Sequence, residues 1–136
     1  MSAPDVIEVL TEAGIYELRT FSGTRYLIDS RLGGSPRYAR IPAETAPHMR
    51  LDADWHPLQR LECGPIAWAD GDFLDRDMID EEDTAEWCIR VGSSHRLWTT
   101  DPQLLHAPLT DKYFVTSTPC VALTVHDEIP AWVPAP

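Results

Sequence analysis

The segment GIYELRTFSGTRYLID, residues 14–29, carries the pattern that most restricts the fold of this chain. Its side chains alternate with period two up to the pair Ser22-Gly23, and the alternation resumes after that pair. Such alternation places every second side chain on one face of a strand. A glycine between two such runs is typical of a β-hairpin, because glycine accepts the positive φ of tight turns. The segment therefore predicts two antiparallel strands.

Three further stretches extend the strand prediction. Residues 37–41, RYARI, follow a turn rich in glycine and predict the third strand of a meander. Residues 86–101 repeat the hairpin pattern around GSS. Residues 112–125 are rich in Val, Thr and aromatic residues, and they predict a strand bent at Pro119, where proline cannot donate to a ladder.

Helix signals are weak. Residues 4–14 fit a short helical turn or a strand, and one or two helical turns fit within residues 74–87. We therefore predict an all-β or β-dominated fold, a small antiparallel barrel or sandwich built from hairpins, with at most short helical turns. The side chains expected in its core are Tyr16, Leu18, Tyr26, Ile28, Ile89, Leu97, Phe114, Val121 and Leu123.

Length and composition point to one globular unit. The chain has 136 residues, 43% of them hydrophobic, which suffices for a core without covalent staples. We expect a single domain over residues 1–136 with a Pro-rich C-terminal tail at 127–136. The first fifteen residues lack a basic start and a long apolar run, so we expect a cytoplasmic protein whose cysteines are reduced.

Acidic residues are concentrated in one segment. The formal net charge of the chain is −11, and the stretch between Trp68 and Trp87 holds nine carboxylates against Arg76, a net charge of −8. We interpret residues 69–86, named the acidic segment below, as an exposed insertion between two strands. The like charges repel each other and hold the segment away from the core, while the two tryptophans anchor its ends.

The charge favours one class of partner over others. A strongly negative chain disfavours direct binding to nucleic acid or to an anionic membrane, but it suits a basic protein. We therefore expect a non-enzymatic interaction module that presents the acidic segment to a basic protein partner. A DNA-mimic inhibitor is an alternative reading of the same charges. The side chains expected to contact the partner are Asp70, Asp72, Asp75, Asp77, Asp80, Glu81, Glu82 and Asp83.

No motif points to catalysis, and we expect no catalytic residue, metal or cofactor. An EF-hand loop starting at Asp70 would need glycine at its sixth position, where Asp75 stands. Weaker alternatives remain open. They are a divalent site or metal-dependent hydrolase built on Asp70–Asp83, a zinc site from Cys63, Cys88 and a histidine, and acid–base chemistry by Asp52 and Asp54 near His56.

Arginines make residues 19–40 locally basic and suggest a second kind of site. In this alternative, the chain is a β-barrel that binds a small ligand or a nucleotide, held by Arg19, Arg25, Arg31 and Arg37. The same basic region could face the acidic segment, within one chain or across a homodimer. Salt would then weaken the dimer, because it screens exposed charges.

Parts of the chain resemble a known group of proteins. The runs SGTRYLID, RYARIP, VGSSHRLWTTDP and TSTPCVAL are similar to those of small β-rich proteins of unknown function from GC-rich bacteria and their phages. The resemblance covers about half of the chain and leaves out the acidic segment. It implies a β architecture and an accessory role in binding a partner, and no activity is attached to that group.

Overall fold

The computed structural model describes residues 5–31, 36–44, 53–99 and 113–134, with side chains omitted at 113–116. Strands dominate these residues, and their one helical element is a 3-10 turn at Arg76–Met78. The strands in chain order are β1 Val6–Glu8, β2 Ile15–Thr20, β3 Arg25–Asp29, β4 Arg37–Ile41, β5 Trp55–Pro57, β6 Arg60–Ile66, β7 Trp68–Ala69, β8 Asp72–Phe73, β9 Ala85–Glu86, β10 Cys88–Arg90, β11 Ser93–Thr99, β12 Tyr113–Thr116 and β13 Cys120–His126. The prediction of a β-dominated fold is confirmed.

The predicted meander is present in the larger sheet. Its five antiparallel strands lie in the order β13-β2-β3-β4-β5. Leu18 faces Tyr26 across the first hairpin, and Ile28 faces Tyr38 across the next strand pair. All four side chains are buried, because this register brings the apolar side chains of neighbouring strands to one face of the sheet.

The second large sheet completes an open, sandwich-like arrangement. It has four antiparallel strands in the order β12-β11-β6-β9, and β1 pairs with β10 in a small separate ladder. One buried cluster unites the three sheets: it contains Leu18 and Ile28 from the larger sheet, Leu61 and Leu97 from the four-stranded sheet, and Ile89 from β10. Neither large sheet closes on itself, so the structure favours a sandwich over a barrel.

The structure corrects one local strand prediction and decides between the two alternatives at residues 4–14. Residues 86–101 do contain two strands and a turn, but β10 pairs with β1 and β11 pairs with β6, so the two strands form no hairpin ladder with each other. Residues 4–14 supply that partner as strand β1 rather than as a helical turn. The alternation predicts both strands correctly, whereas their pairing depends on a contact between segments that are distant in sequence.

Pro119 separates two strands that belong to different sheets. β12 ends at Thr116 and pairs with β11, while β13 begins at Cys120 and forms an edge of the larger sheet. The register of β13 shifts between Cys120 and Ala122. This irregularity explains why Val121 is only partly buried although it was expected in the core, while Cys120 and Leu123 are buried. The side chain of Phe114 lies outside the described residues.

The described part of the Pro-rich tail lies against the body of the molecule. Arg25 stacks on the ring of Trp132 at 4.8 Å, Val133 is buried, and the Trp55 Nε1 donates to the carbonyl of Pro134 at 2.8 Å. Within the described residues there is no helix long and apolar enough to cross a membrane.

Candidate protein-interaction surface

Seven carboxylates of the acidic segment are exposed and form no salt bridge with the described residues. Even Arg76, the basic residue in the middle of the segment, pairs with none of them. The polar contacts that do occur are local caps, such as the Asp80 carboxylate accepting the Glu82 amide at 3.1 Å. The seven are Asp70, Asp72, Asp75, Asp77, Asp80, Glu81 and Glu82.

The acidic segment begins as a tight β-hairpin. β7 pairs with β8 through Trp68 opposite Phe73, and the turn between them is Asp70-Gly71. Both turn residues have positive φ, 54° and 85°, as the preferred two-residue hairpin turn requires. Asp70 and Asp72 therefore stand on a defined hairpin and not on an irregular loop.

Large apolar side chains are exposed beside these carboxylates. Phe73 on the acidic hairpin meets Phe21 from the β2–β3 turn edge to face, with ring centroids 4.8 Å apart. The two phenylalanines are 48% and 57% exposed, and Met78 within the acidic segment is 64% exposed. Exposed apolar side chains that lie among charges are typical of surfaces that bind other proteins.

The end of the acidic segment is tied to the body through Arg90. Its guanidinium donates to the Asp83 carboxylate at 3.1 Å, to the Asp83 carbonyl at 2.9 Å and to the Gly64 carbonyl at 2.8 Å. Arg90 is mostly buried, whereas Asp83 is half-exposed. Asp83, expected to contact a partner, is therefore engaged inside the protein and differs from the seven exposed carboxylates.

Both flanking tryptophans anchor the acidic segment. The amides of Ala67 and Trp68 donate to the Gly92 carbonyl at 2.8 and 3.1 Å. At the other end, the Trp87 amide donates to the Leu61 carbonyl at 2.8 Å, while its own carbonyl accepts the Val9 amide at 3.0 Å. The segment thus leaves and rejoins the sandwich at fixed points.

The four arginines of the alternative ligand site do not converge. Arg31 and Arg37 both bind Asp29, which is fully buried, through five hydrogen bonds of 2.8–3.1 Å. Burial alone would raise the pKa of Asp29, but the hydrogen bonds from the two arginines outweigh it and lower that pKa below its ordinary value. These two guanidiniums are committed to an internal carboxylate.

The other two arginines lie at the opposite end of β3. Arg19 and Arg25 face each other across β2 and β3. Arg25 also lies 3.8 Å from the Glu17 carboxylate. Arg25 lies four positions before Asp29 on the strand, about 13 Å away at the usual rise. In the described part of the chain, none of the four arginines pairs with the acidic segment.

Buried cysteines and a buried histidine lie behind the acidic segment. Cys63, Cys88 and Cys120 are all buried and free. His95 faces Cys63 across β6 and β11, and its Nε2 accepts the Arg90 amide at 3.0 Å. Burial, aided by the charge of Arg90, lowers the pKa of His95 to about 3, so the imidazole is neutral. Its Nδ1 finds no hydrogen-bond partner among the described residues.

The described residues offer little support for a metal site or for acid–base chemistry. In the part of the chain that is described, no three His, Cys, Asp or Glu side chains are placed to hold a metal ion together. Asp52, named with Asp54 and His56 for acid–base chemistry, lies outside the described residues. A cleft of about 500 Å³ lies beside β9, but Arg60 within it already pairs with Glu62 and Glu86.

Sequence reasoning found the carboxylates but missed the side chains that accompany them. The Asp70-Gly71 pair is a strong local hairpin signal and could have predicted that Phe73 stands on a strand. Its contact with Phe21 and the anchoring of Asp83 by Arg90 join distant segments, and no local pattern indicates them. Comparisons of the chain with protein-family models, with curated proteins and with solved structures find no match.

Proposed function

We propose that this protein is a non-enzymatic interaction module whose acidic segment binds a basic surface on a protein partner. The observation that carries the proposal is a set of seven exposed carboxylates that form no salt bridge with the described residues and are held on a segment with fixed ends. An exposed salt bridge contributes about 1 kcal/mol or less to a fold, and these carboxylates form none with the described residues, so they add little to stability. Their mutual repulsion decreases when a cationic partner binds.

Exposed apolar side chains extend the proposed surface beyond its charges. Phe21, Phe73 and Met78 offer contact area that a partner would remove from water, while the carboxylates around them attract and orient it. We therefore expect a basic partner that also carries an apolar side chain. If the binding site were made only of charges, the partner would need no apolar side chain.

The test is affinity capture by three forms of the full chain from the cells that make it. The first is the wild type, and the second carries Asp75→Asn, Asp77→Asn, Asp80→Asn and Glu81→Gln. The matched control changes four exposed carboxylates elsewhere, with the same effect on net charge: Glu44→Gln, Asp54→Asn, Asp127→Asn and Glu128→Gln.

We expect the wild type and the control to retain a basic protein that the acidic-segment variant loses. Binding of that protein, measured by titration, should weaken at least tenfold between about 50 and 500 mM salt, because exposed charges are screened. Phe73→Ala should weaken it as well, without any change in charge. Equal capture by all three forms would reject the proposal, and displacement by duplex DNA would identify a DNA mimic.

A further inference from the structure

β10 lies beside β6 at the base of the acidic segment. The Trp87 amide donates to the Leu61 carbonyl, and three residues later the Arg90 guanidinium donates to the Gly64 carbonyl, both at 2.8 Å. Cys88 directly follows the first contact, and Cys63 directly precedes the second. The two cysteines therefore lie between the same pair of contacts, on neighbouring stretches of chain.

The side chains of these cysteines meet in the interior. Cys63 is 1% and Cys88 6% exposed, and each thiol lies close enough to the other to influence its pKa. The Cys63 thiol donates to the Gly64 carbonyl at 3.6 Å, and the Cys88 thiol donates to the Ile89 carbonyl at 4.0 Å. Cys120 differs from this pair, because it lies on β13 in the other large sheet and donates its thiol proton to the Ala122 carbonyl at 3.3 Å.

We propose that Cys63 and Cys88 form a redox-active thiol pair that a low-molecular-weight disulfide oxidises to an intramolecular disulfide bond. The bond would join the two stretches of chain that flank the acidic segment. Residues 64–87, which it would enclose, include all eight carboxylates expected at the partner surface. This inference does not depend on the proposed function, because it concerns the covalent state of the chain and not its partner.

The exchange takes place in two steps. Cys88, the more exposed thiol, loses its proton to solvent, and its thiolate attacks one sulfur of the reagent disulfide. A mixed disulfide forms and one thiolate leaves. Cys63 then loses its proton to solvent, and its thiolate attacks the Cys88 sulfur and releases the second reagent thiolate, which takes up a proton. Two protein thiols are oxidised, and one reagent disulfide is reduced to two thiols.

The environment of the pair slows its oxidation near neutral pH. Burial raises the pKa of the Cys88 thiol to about 11 and also raises the pKa of Cys63. The thiolate fraction of Cys88 is therefore small near neutral pH and grows about tenfold per pH unit below that pKa. We expect the rate of oxidation to rise steeply between pH 7 and 9.

The sequence makes the bond simple to detect, since trypsin places each cysteine on a different peptide. Cys63 falls in residues 61–76, Cys88 in 77–90 and Cys120 in 113–136. The reduced full chain is incubated with oxidised glutathione at pH 8.5, below its unfolding temperature, and remaining thiols are blocked before digestion. The expected product is peptide 61–76 linked to 77–90, with Cys120 blocked as a free thiol.

Two variants separate the pair from the third cysteine. Cys120→Ala should form the same linked peptides, whereas Cys88→Ala should yield at most a glutathione adduct. The oxidised wild type should unfold roughly 5–10 °C higher than the reduced form, because the bond closes a loop of intermediate length. Three thiols that stay free under these conditions, or a bond to Cys120, would overturn the proposal.

Discussion

Arg37 and Asp29 face each other across β4 and β3, and the Arg37 guanidinium donates both Nε and Nη2 to the same carboxylate oxygen, at 3.1 and 2.8 Å. Arg31 occupies the other oxygen with its Nε and amide, and it also reaches the shared one through Nη2. Asp29 is fully buried, so this carboxylate depends on the two arginines for its solvation.

We therefore expect Asp29→Asn to destabilise the fold by about 2 kcal/mol, because both guanidiniums lose an ionic partner while the site stays buried. Chemical denaturation gives the free energy of unfolding. Asp77→Asn, the same change at an exposed residue that forms no salt bridge with the described residues, should stay within about 0.5 kcal/mol of the wild type. Equal stability of the two variants would show that the contacts of Asp29 with Arg31 and Arg37 do not stabilise the fold.

Acidification should destabilise the protein through His95. Its pKa is about 3 in the folded chain and 6.5 in the unfolded one. Between these values the unfolded state binds a proton that the folded state does not, so stability falls as pH decreases from 6.5 toward 3. The slope due to this residue is about 1.4 kcal/mol per pH unit. Denaturant titrations at several pH values measure it, and His95→Gln should remove that part of the slope. An unchanged slope in the variant would contradict this assignment.

Gly92 and Gly71 offer a matched pair of substitutions. Both have positive φ, 97° and 85°, but a Cβ at Gly92 would lie 2.5 Å from the Trp68 carbonyl oxygen, whereas at Gly71 nothing lies within 4 Å. We expect Gly71→Ala to cost about 1 kcal/mol for backbone strain alone, and Gly92→Ala about 3 kcal/mol or more. Thermal unfolding of both variants tests the difference. A smaller effect at Gly92 than at Gly71 would disprove the close approach.

Arg90 should control how firmly the acidic segment is held. Arg90→Met removes the donors to Asp83 and Gly64, and we expect a loss of about 2 kcal/mol together with faster amide hydrogen exchange in residues 80–90. Arg76→Met is the control, since Arg76 is exposed and forms no salt bridge in the described residues. Equal exchange in the two variants would indicate that other contacts hold the segment.

The fold follows from the sequence where information is local. Alternation around Gly23 and the turn at Gly92 mark strands correctly, because period-two burial and positive φ are properties of a few neighbouring residues. The predicted pairing of β10 with β11 was wrong. β10 pairs with β1 instead, which buries Ile7 beside Ile89, and these two residues lie 82 positions apart in the sequence. The sequence alone locates the carboxylates of the acidic segment, but it does not indicate that Phe21 and Phe73 meet beside them.

The contact between Phe21 and Phe73 links the binding of a molecule at these rings to the stability of the protein. Phe21 belongs to the meander, and Phe73 belongs to the hairpin that opens the acidic segment. A molecule bound to both rings would therefore hold the hairpin against the meander. Occupancy would oppose the detachment of that hairpin, and the protein would become harder to unfold in proportion to how tightly it is bound.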